Sequence, residues 1–518
     1  MPEDNHSSAR RNDSLWSRVR AFKIVPQLDT YPTLVRAVET RWGKVAAVAA
    51  FAALLYLNRV PSWVEIAIIA GILSFLPQHR RPLLTAAMVY WLLRHCGLPE
   101  PDTWLRFELV RSIGHADGLS ATPAIAALTA ALLAIFGGLA LFLWFVRRNP
   151  RNLAARRPVL MLLLFYFLLL AAAGTLPLHG VAHLAIWALV LALCPYLWFY
   201  AYAITDQASK SPDPFPLQIG TFYPFWNSLH TTPTPIGKGA NYLRKVEARN
   251  AQDLAVVQLK AIKLLMWTLL LHPIQIGLPA VLHGETHLGF VAFIDAHILR
   301  LPNIAIPTLR DALNQTAAGV RLPVWTAWAS VLSRFVESLL DLVATNVVVA
   351  CCRMAGFNIL RNTYKPLYAQ TVAEFWNRYY YYFKELLVEF FFFPCYSSYF
   401  KKNRKIRLAA ATIAAATVGN VLYHFGRDAQ FVLTLGFWRA VAGFHAYAFY
   451  AVVLGVAIVI SQMRGRRAPH EWWARRVLAS MGVMIFYCLI GILAESQDRA
   501  HALSVYLAFF TNLIPVLR

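Results

Sequence analysis

The chain has 518 residues, of which 58% are hydrophobic and only 14% charged, with a formal net charge of +23. That composition excludes a water-soluble globular protein, because the apolar residues fall in runs long enough to cross a hydrocarbon core about 30 Å thick at roughly 20 residues per helix. A membrane β-barrel would need short alternating segments, which are absent. Nucleic-acid binding is excluded by where the charge lies: the basic residues occupy short loops beside apolar runs, as in RRNPRNLAARR at 147–157, which is the positive-inside distribution.

The fold class is therefore all-α, a polytopic integral membrane protein of roughly 11–12 transmembrane helices. Residues 1–43 are polar and basic, with no apolar core ahead of Gly43. They do not resemble a cleavable signal peptide and read as a cytoplasmic tail that becomes interfacial. Apolar runs then predict spans near 44–58, 62–77, 82–97, 121–146, 157–177 and 181–204, the first three short enough for one pair to be a re-entrant hairpin. Further spans follow near 255–281, 324–352, 406–425, 437–461, 474–494 and 501–516. With the N-terminus inside, QHRRP, RRNPRNLAARR, the 205–254 and 353–405 connections and RGRRAPHEWWARR all fall on the cytoplasmic side, and so do both termini. There is no internal repeat of the transporter kind.

The two long connections are unusual. Residues 205–254 contain PDPFPLQIGTFYPFWNSLHTTPTPIGKGANYLRKVEARN, and 353–405 contain EFWNRYYYYFKELLVEFFFFPCYSSYF. Both are too aromatic for disordered loops and too interrupted by proline and charge to span. They predict interfacial or re-entrant helices, which membrane depth tolerates only where they are buried in protein or line a wet cavity. The expected architecture is thus a helical bundle around a central tunnel.

Polar residues inside spans are costly and are functional candidates by default. Asn420 and His424, in ATVGNVLYHFGRD, are four residues apart and share a helix face. A structural role for His424, bonded to a neighbouring helix, competes with a catalytic one. Arg334, Glu337 and Asp341 also stack along one face, either as the wall of a polar tunnel or as a self-neutralising ion network. His445 on the next span either faces His424 or is structural. The six cysteines show no metal-ligand spacing and read as packing residues, with Cys395 at a membrane edge open to acylation. No G-x-S-x-G elbow, H-E-x-x-H pair or P-loop is present, and GKG at 237–239 lacks the rest of a Walker pattern.

Three of these stretches together resemble the membrane-bound O-acyltransferase (MBOAT) family. The likeness is to its bacterial branch of alginate O-acetyltransferases and teichoic-acid D-alanylating proteins. Family members carry Phe-Trp-x-Arg-Trp-His on a cytoplasmic-side interfacial helix, then a basic loop, then a helix ending in Leu-Trp-His-Gly. The order here is Phe375-Trp376-Asn377-Arg378-Tyr379-Tyr380, then KKNRKIR, then Leu422-Tyr423-His424-Phe425, with TPTPIGKGANYLRK as the upstream counterpart. The resemblance covers roughly 220–430. Tyr380 stands where the family has its second histidine, so only His424 carries over as catalytic.

The resemblance implies a domain plan. Residues 1–43 are a cytoplasmic basic tail and interfacial segment, 44–204 N-terminal membrane helices, 205–430 a catalytic core with two cytoplasmic-side interfacial regions, and 431–518 C-terminal membrane helices. It implies a bacterial inner-membrane enzyme that moves an acyl group from a thioester to a hydroxyl, with no metal and no permanently bound cofactor. The thioester is acyl-CoA or an acyl carrier protein, and the acceptor a glycan, a lipid or a metabolite. His424 would be the general base, since an imidazole titrates near neutrality. Asn420 would orient it. Asn377, Tyr379 and Tyr380 would stabilise the oxyanion or line the donor entrance. Arg378, Lys384, Lys401, Lys402, Arg404 and Lys405 would attract the donor's phosphates or an acidic carrier, and Glu337 and Asp341 would line the tunnel. A multi-span transporter or flippase and a non-catalytic scaffold are the competing readings.

Overall fold

Hydrocarbon leaves no backbone N–H or C=O a partner outside the segment, so a chain of this composition must close its hydrogen bonds within helices. The computed structural model describes residues 24–95, 102–119, 123–149, 151–209, 211–222, 234–285, 303–464, 473–494 and 501–515. These residues form no sheet, only an isolated antiparallel bridge between Glu247 and Phe357. Among them, eight helices are long and apolar enough to cross a membrane: Ala126–Arg148, Pro158–Thr175, Gly180–Ala208, Ala251–His283, Val324–Met354, Arg404–Arg427, His445–Met463 and Trp473–Ala494. The protein is a polytopic membrane helical bundle.

The differences from the expected spans lie at helix breaks. The first apolar run, Arg41–Leu57, is bent by 102° from Pro32–Glu39 and makes a ninth span only if the two count as one. Thr40 sets the bend: its hydroxyl accepts from Gly43 N–H at 3.0 Å and donates to the Ala37 carbonyl at 2.7 Å. The short arm tucks Val35 and Val38 into the core, and Asp29 ahead of it pairs with Lys263. The runs expected at 62–77 and 501–516 are the short apolar helices Trp63–Phe75 and Leu503–Asn512. The run at 82–97 is Arg80–His95, only 16 residues long. The run at 437–461 divides at Phe444 into Phe437–Gly443 and His445–Met463. Much of the basic tail, Cys96 and residues 286–302 of the 282–323 connection lie outside the described residues.

The long connections dock onto the bundle through ions. Arg80, 3% exposed, donates to Glu247 Oε1 and to the Ala248 carbonyl, both at 3.1 Å. Arg81 reaches Glu247 Oε2 at 3.1 Å and Asp213 at 3.0 Å, and Arg244 closes the network on Asp213. Gly356, at φ +96°, leaves room for the Arg80 guanidinium: a Cβ there would lie 2.5 Å from its Nη2. Helix Arg80–His95 thereby ties Asp213 and residues 244–248 to the turn at 353–357.

Candidate functional site

The aromatic stretch folds as a chain of short pieces: Val372–Tyr379, Tyr381–Leu387, a π turn over Val388–Phe392, and Phe393–Ser398. Thr371 caps the first piece by accepting from Glu374 N–H at 3.1 Å, and the Glu374 carboxylate accepts from Gln370 N–H at 2.9 Å. Tyr380 leaves helical geometry, at φ −140° and ψ 77°, and separates the first two pieces. The N–H groups this exposes are satisfied by buried Asn362, whose carbonyl accepts from Tyr381 N–H at 2.8 Å and whose side chain accepts from Tyr382 N–H at 3.1 Å.

The histidine helix, Arg404–Arg427, contains a second π turn at Ala414–Gly419. The two π turns pack against each other. Gly419 makes the approach possible, because a Cβ there would come within 2.6 Å of the Phe391 ring. Isolated π turns within helices recur at functional sites. The third stretch joins the same place. Thr234 and Tyr423 share a hydroxyl–hydroxyl bond of 2.6 Å, and Lys238 pairs with Glu385. The three stretches that carry the sequence resemblance therefore meet around one helix end.

His424 sits at that meeting point, in an aromatic cage of Tyr447, Tyr423 and Phe383 at ring-centroid distances of 4.7, 5.2 and 5.5 Å. The residue as a whole is half-buried, but its Nδ1 is fully enclosed and has no hydrogen-bond partner among the described residues. An enclosed, unpaired ring nitrogen costs about 1–3 kcal/mol unless something else satisfies it. Asn420 is buried and accepts at Oδ1 from the Tyr447 hydroxyl at 3.0 Å, so it holds the ring that lies against His424 rather than bonding the imidazole. Below the histidine the helix end is fixed. Tyr166 donates to the Gly426 carbonyl at 2.6 Å, and Arg427 grips Asp428 with bonds of 2.6 and 2.8 Å.

The other candidates divide. Tyr380 contacts Phe383 at 5.8 Å, one ring from the histidine. Tyr379 stacks on Phe375 at 5.1 Å and donates to the Ser338 carbonyl at 3.2 Å. It lines a cavity of about 260 Å3 with Arg310, Arg334, Ser338, Tyr450 and Tyr487. Tyr450 lies 5.2 Å from Tyr447, so two tyrosine rings separate this polar cavity from His424. Arg378 is paired with Glu374 at 2.6 Å, and Asn377 is exposed. Glu337 lies 2.9 Å from His283 Nε2, whereas Asp341 sits 3.7 Å from Arg334 and 3.4 Å from Gln275. Arg334 and Ser338 thus face the cavity while both carboxylates pair with side chains beside them.

His445 is exposed, its Nδ1 2.9 Å from the Ala442 carbonyl, and the residue that meets His424 is Tyr447. Tyr447, Thr234 and Phe383 were not legible as site residues. Their only signal is that each lies in or beside a stretch singled out for another reason.

Glu385 carries a pH dependence. Burial alone would raise its carboxyl, but hydrogen bonds from Lys238 and Lys384 outweigh this and hold it below the usual range. A depressed folded value means the stabilisation is fully present above the unfolded value of about 4.3. It is lost as pH falls through the lower folded value. Below about pH 4, protection of the 234–246 amides from hydrogen exchange should fall in the wild type, and Glu385→Gln should show the same loss already at pH 7.

No family model matches the chain, and no curated protein matches it. Among the described residues, no group of three or more His, Cys, Asp or Glu side chains could hold a metal ion.

Proposed function

We propose that the protein is a membrane-embedded O-acyltransferase in which His424 is the general base. The observation that carries the reading is the enclosed, unpaired imidazole nitrogen at the point where the three resembling stretches converge. In this reading the acceptor hydroxyl gives its proton to His424 as its oxygen bonds to the acyl carbon. The C–S bond of the thioester then breaks, and the proton passes to the departing thiolate. Asn420, through Tyr447, keeps the ring in place. The cavity walled by Arg310, Arg334, Tyr379 and Tyr450 receives the remote end of one substrate, whose reacting end passes Tyr450 and Tyr447 to come within hydrogen-bond reach of His424. The face bearing Arg147–Arg157 and the 401–407 cluster is cytoplasmic, in a bacterial inner membrane, and admits acyl-CoA or an acyl carrier protein.

A transporter or flippase is the second reading, favoured by the fact that this polar cavity does not include His424. One experiment separates the two. Purified protein is incubated with acyl-CoAs of several chain lengths and with an acyl carrier protein thioester, and free thiol is followed. Thiol release supports the transferase. Silence with every thioester, from protein shown to be folded, together with solute flux in proteoliposomes, would replace it with the transporter.

A further inference from the structure

A second cavity lies outside the histidine cage, and His424 is not among its lining residues. Helices Pro123–Arg148 and Pro158–Thr175 stand apart, both packed on Gly180–Leu193, and leave between them a groove of about 340 Å3. Gly138 and Phe142 form one wall, Leu162 and Phe165 the other, and Leu193 part of the floor. Apart from Tyr200, the lining carries no polar side chain. The groove opens among outward-facing side chains such as Leu141, Leu164 and Leu168.

Its ends differ in charge. The connection between the two helices, 147–157, holds Arg147, Arg148, Arg151, Arg156 and Arg157 and no carboxylate. All five are exposed, and none forms an ion pair among the described residues. Arg148 lies over the exposed Trp144 ring at 4.2 Å, which holds its guanidinium at the level where tryptophan favours the membrane interface. At 1.5 Å per residue, Arg148 is ~9 Å along the axis from Phe142, and Arg157 is ~6 Å from Met161 at the groove's other wall. A slot shaped for a hydrocarbon chain therefore ends under a cluster of unpaired cations.

We infer that this groove is a binding site for an anionic phospholipid, one acyl chain lying between the two helices and the phosphate held by the arginines of 147–157. The occupant is a lipid rather than a free phosphate because the charge sits on the rim of an apolar slot. The site also reaches the histidine helix. Phe165 lines the groove, while Tyr166 beside it donates to the Gly426 carbonyl. A seated chain would brace the helix that fixes the end of Arg404–Arg427.

The test uses Gly138. A Cβ there would meet nothing within 4 Å, so Gly138→Trp fills the slot without a backbone clash. Full-length wild type, Gly138→Trp and a variant with Arg147, Arg148, Arg156 and Arg157 changed to Gln are purified in detergent. Each is titrated with phosphatidylglycerol or phosphatidylcholine and read by native mass spectrometry, with elution profile and lipid-free melting temperature as fold controls. Wild type should retain one phosphatidylglycerol several-fold more tightly than phosphatidylcholine. Gly138→Trp should lose that lipid at least tenfold, and the arginine variant should lose the preference between headgroups. Undiminished phosphatidylglycerol retention by folded Gly138→Trp, or an unchanged preference in the arginine variant, overturns the inference.

Discussion

His424→Ala is expected to lower thioester cleavage by about 100- to 10,000-fold, the usual contribution of a positioned general base. The loss should fall on kcat more than on KM, because the imidazole lies behind Tyr447 and Tyr450 rather than in the wall of the polar cavity. Folding should survive, since the ring contributes no hydrogen bond at Nδ1. Tyr447→Phe supplies the internal comparison. It keeps the ring against the histidine and removes only the hydroxyl that Asn420 accepts, so it should cost far less than His424→Ala. Thiol release at the wild-type rate from folded His424→Ala would remove the histidine from the mechanism.

The second large effect concerns stability. Glu247→Ala should destabilise the protein by about 3–5 kcal/mol, the range for removing one partner of a buried ion pair. Arg80 would be left 3% exposed with its charge uncompensated except by the Ala248 carbonyl. Arg81 would keep Asp213, so the damage should centre on Arg80 and the turn at Gly356 that lies against it. The measurement is the melting temperature in detergent, followed by limited proteolysis within 234–248. A melting temperature within a degree of wild type would show that the ion network is incidental.

The positions of most spans were legible because a membrane helix needs little more than an unbroken apolar run, as in Pro158–Thr175. The breaks were not. Nothing in FWRAVAGFHAYAF marks Phe444 as the point where one helix ends and another begins, yet that break decides that Tyr447 rather than His445 meets His424. The folding-back of the aromatic stretch could be read from Pro394 and its charges, but its pairing with Lys238, and that of the histidine helix with Thr234, could not. Those contacts join residues about 150 to 190 positions apart in sequence, which no local pattern records. The apolar groove left no signal either. Gly138 and Phe165 read as ordinary span residues until two helices are seen to diverge.

The π turn at Ala414–Gly419 has a consequence for how the histidine is aimed. A π turn holds one residue more than the α-helical turn it replaces, and each residue of an α-helix turns the chain by about 100°. The direction in which His424 faces is therefore fixed by a count of residues five positions earlier. Because the wide turn absorbs that extra residue, drawing Ala414–Gly419 into regular α-helix with no residue removed would change no side chain of the cage and yet swing the imidazole about a quarter-turn away from Phe383 and Tyr447. The compass bearing of the site is written in the match between chain length and the width of one turn.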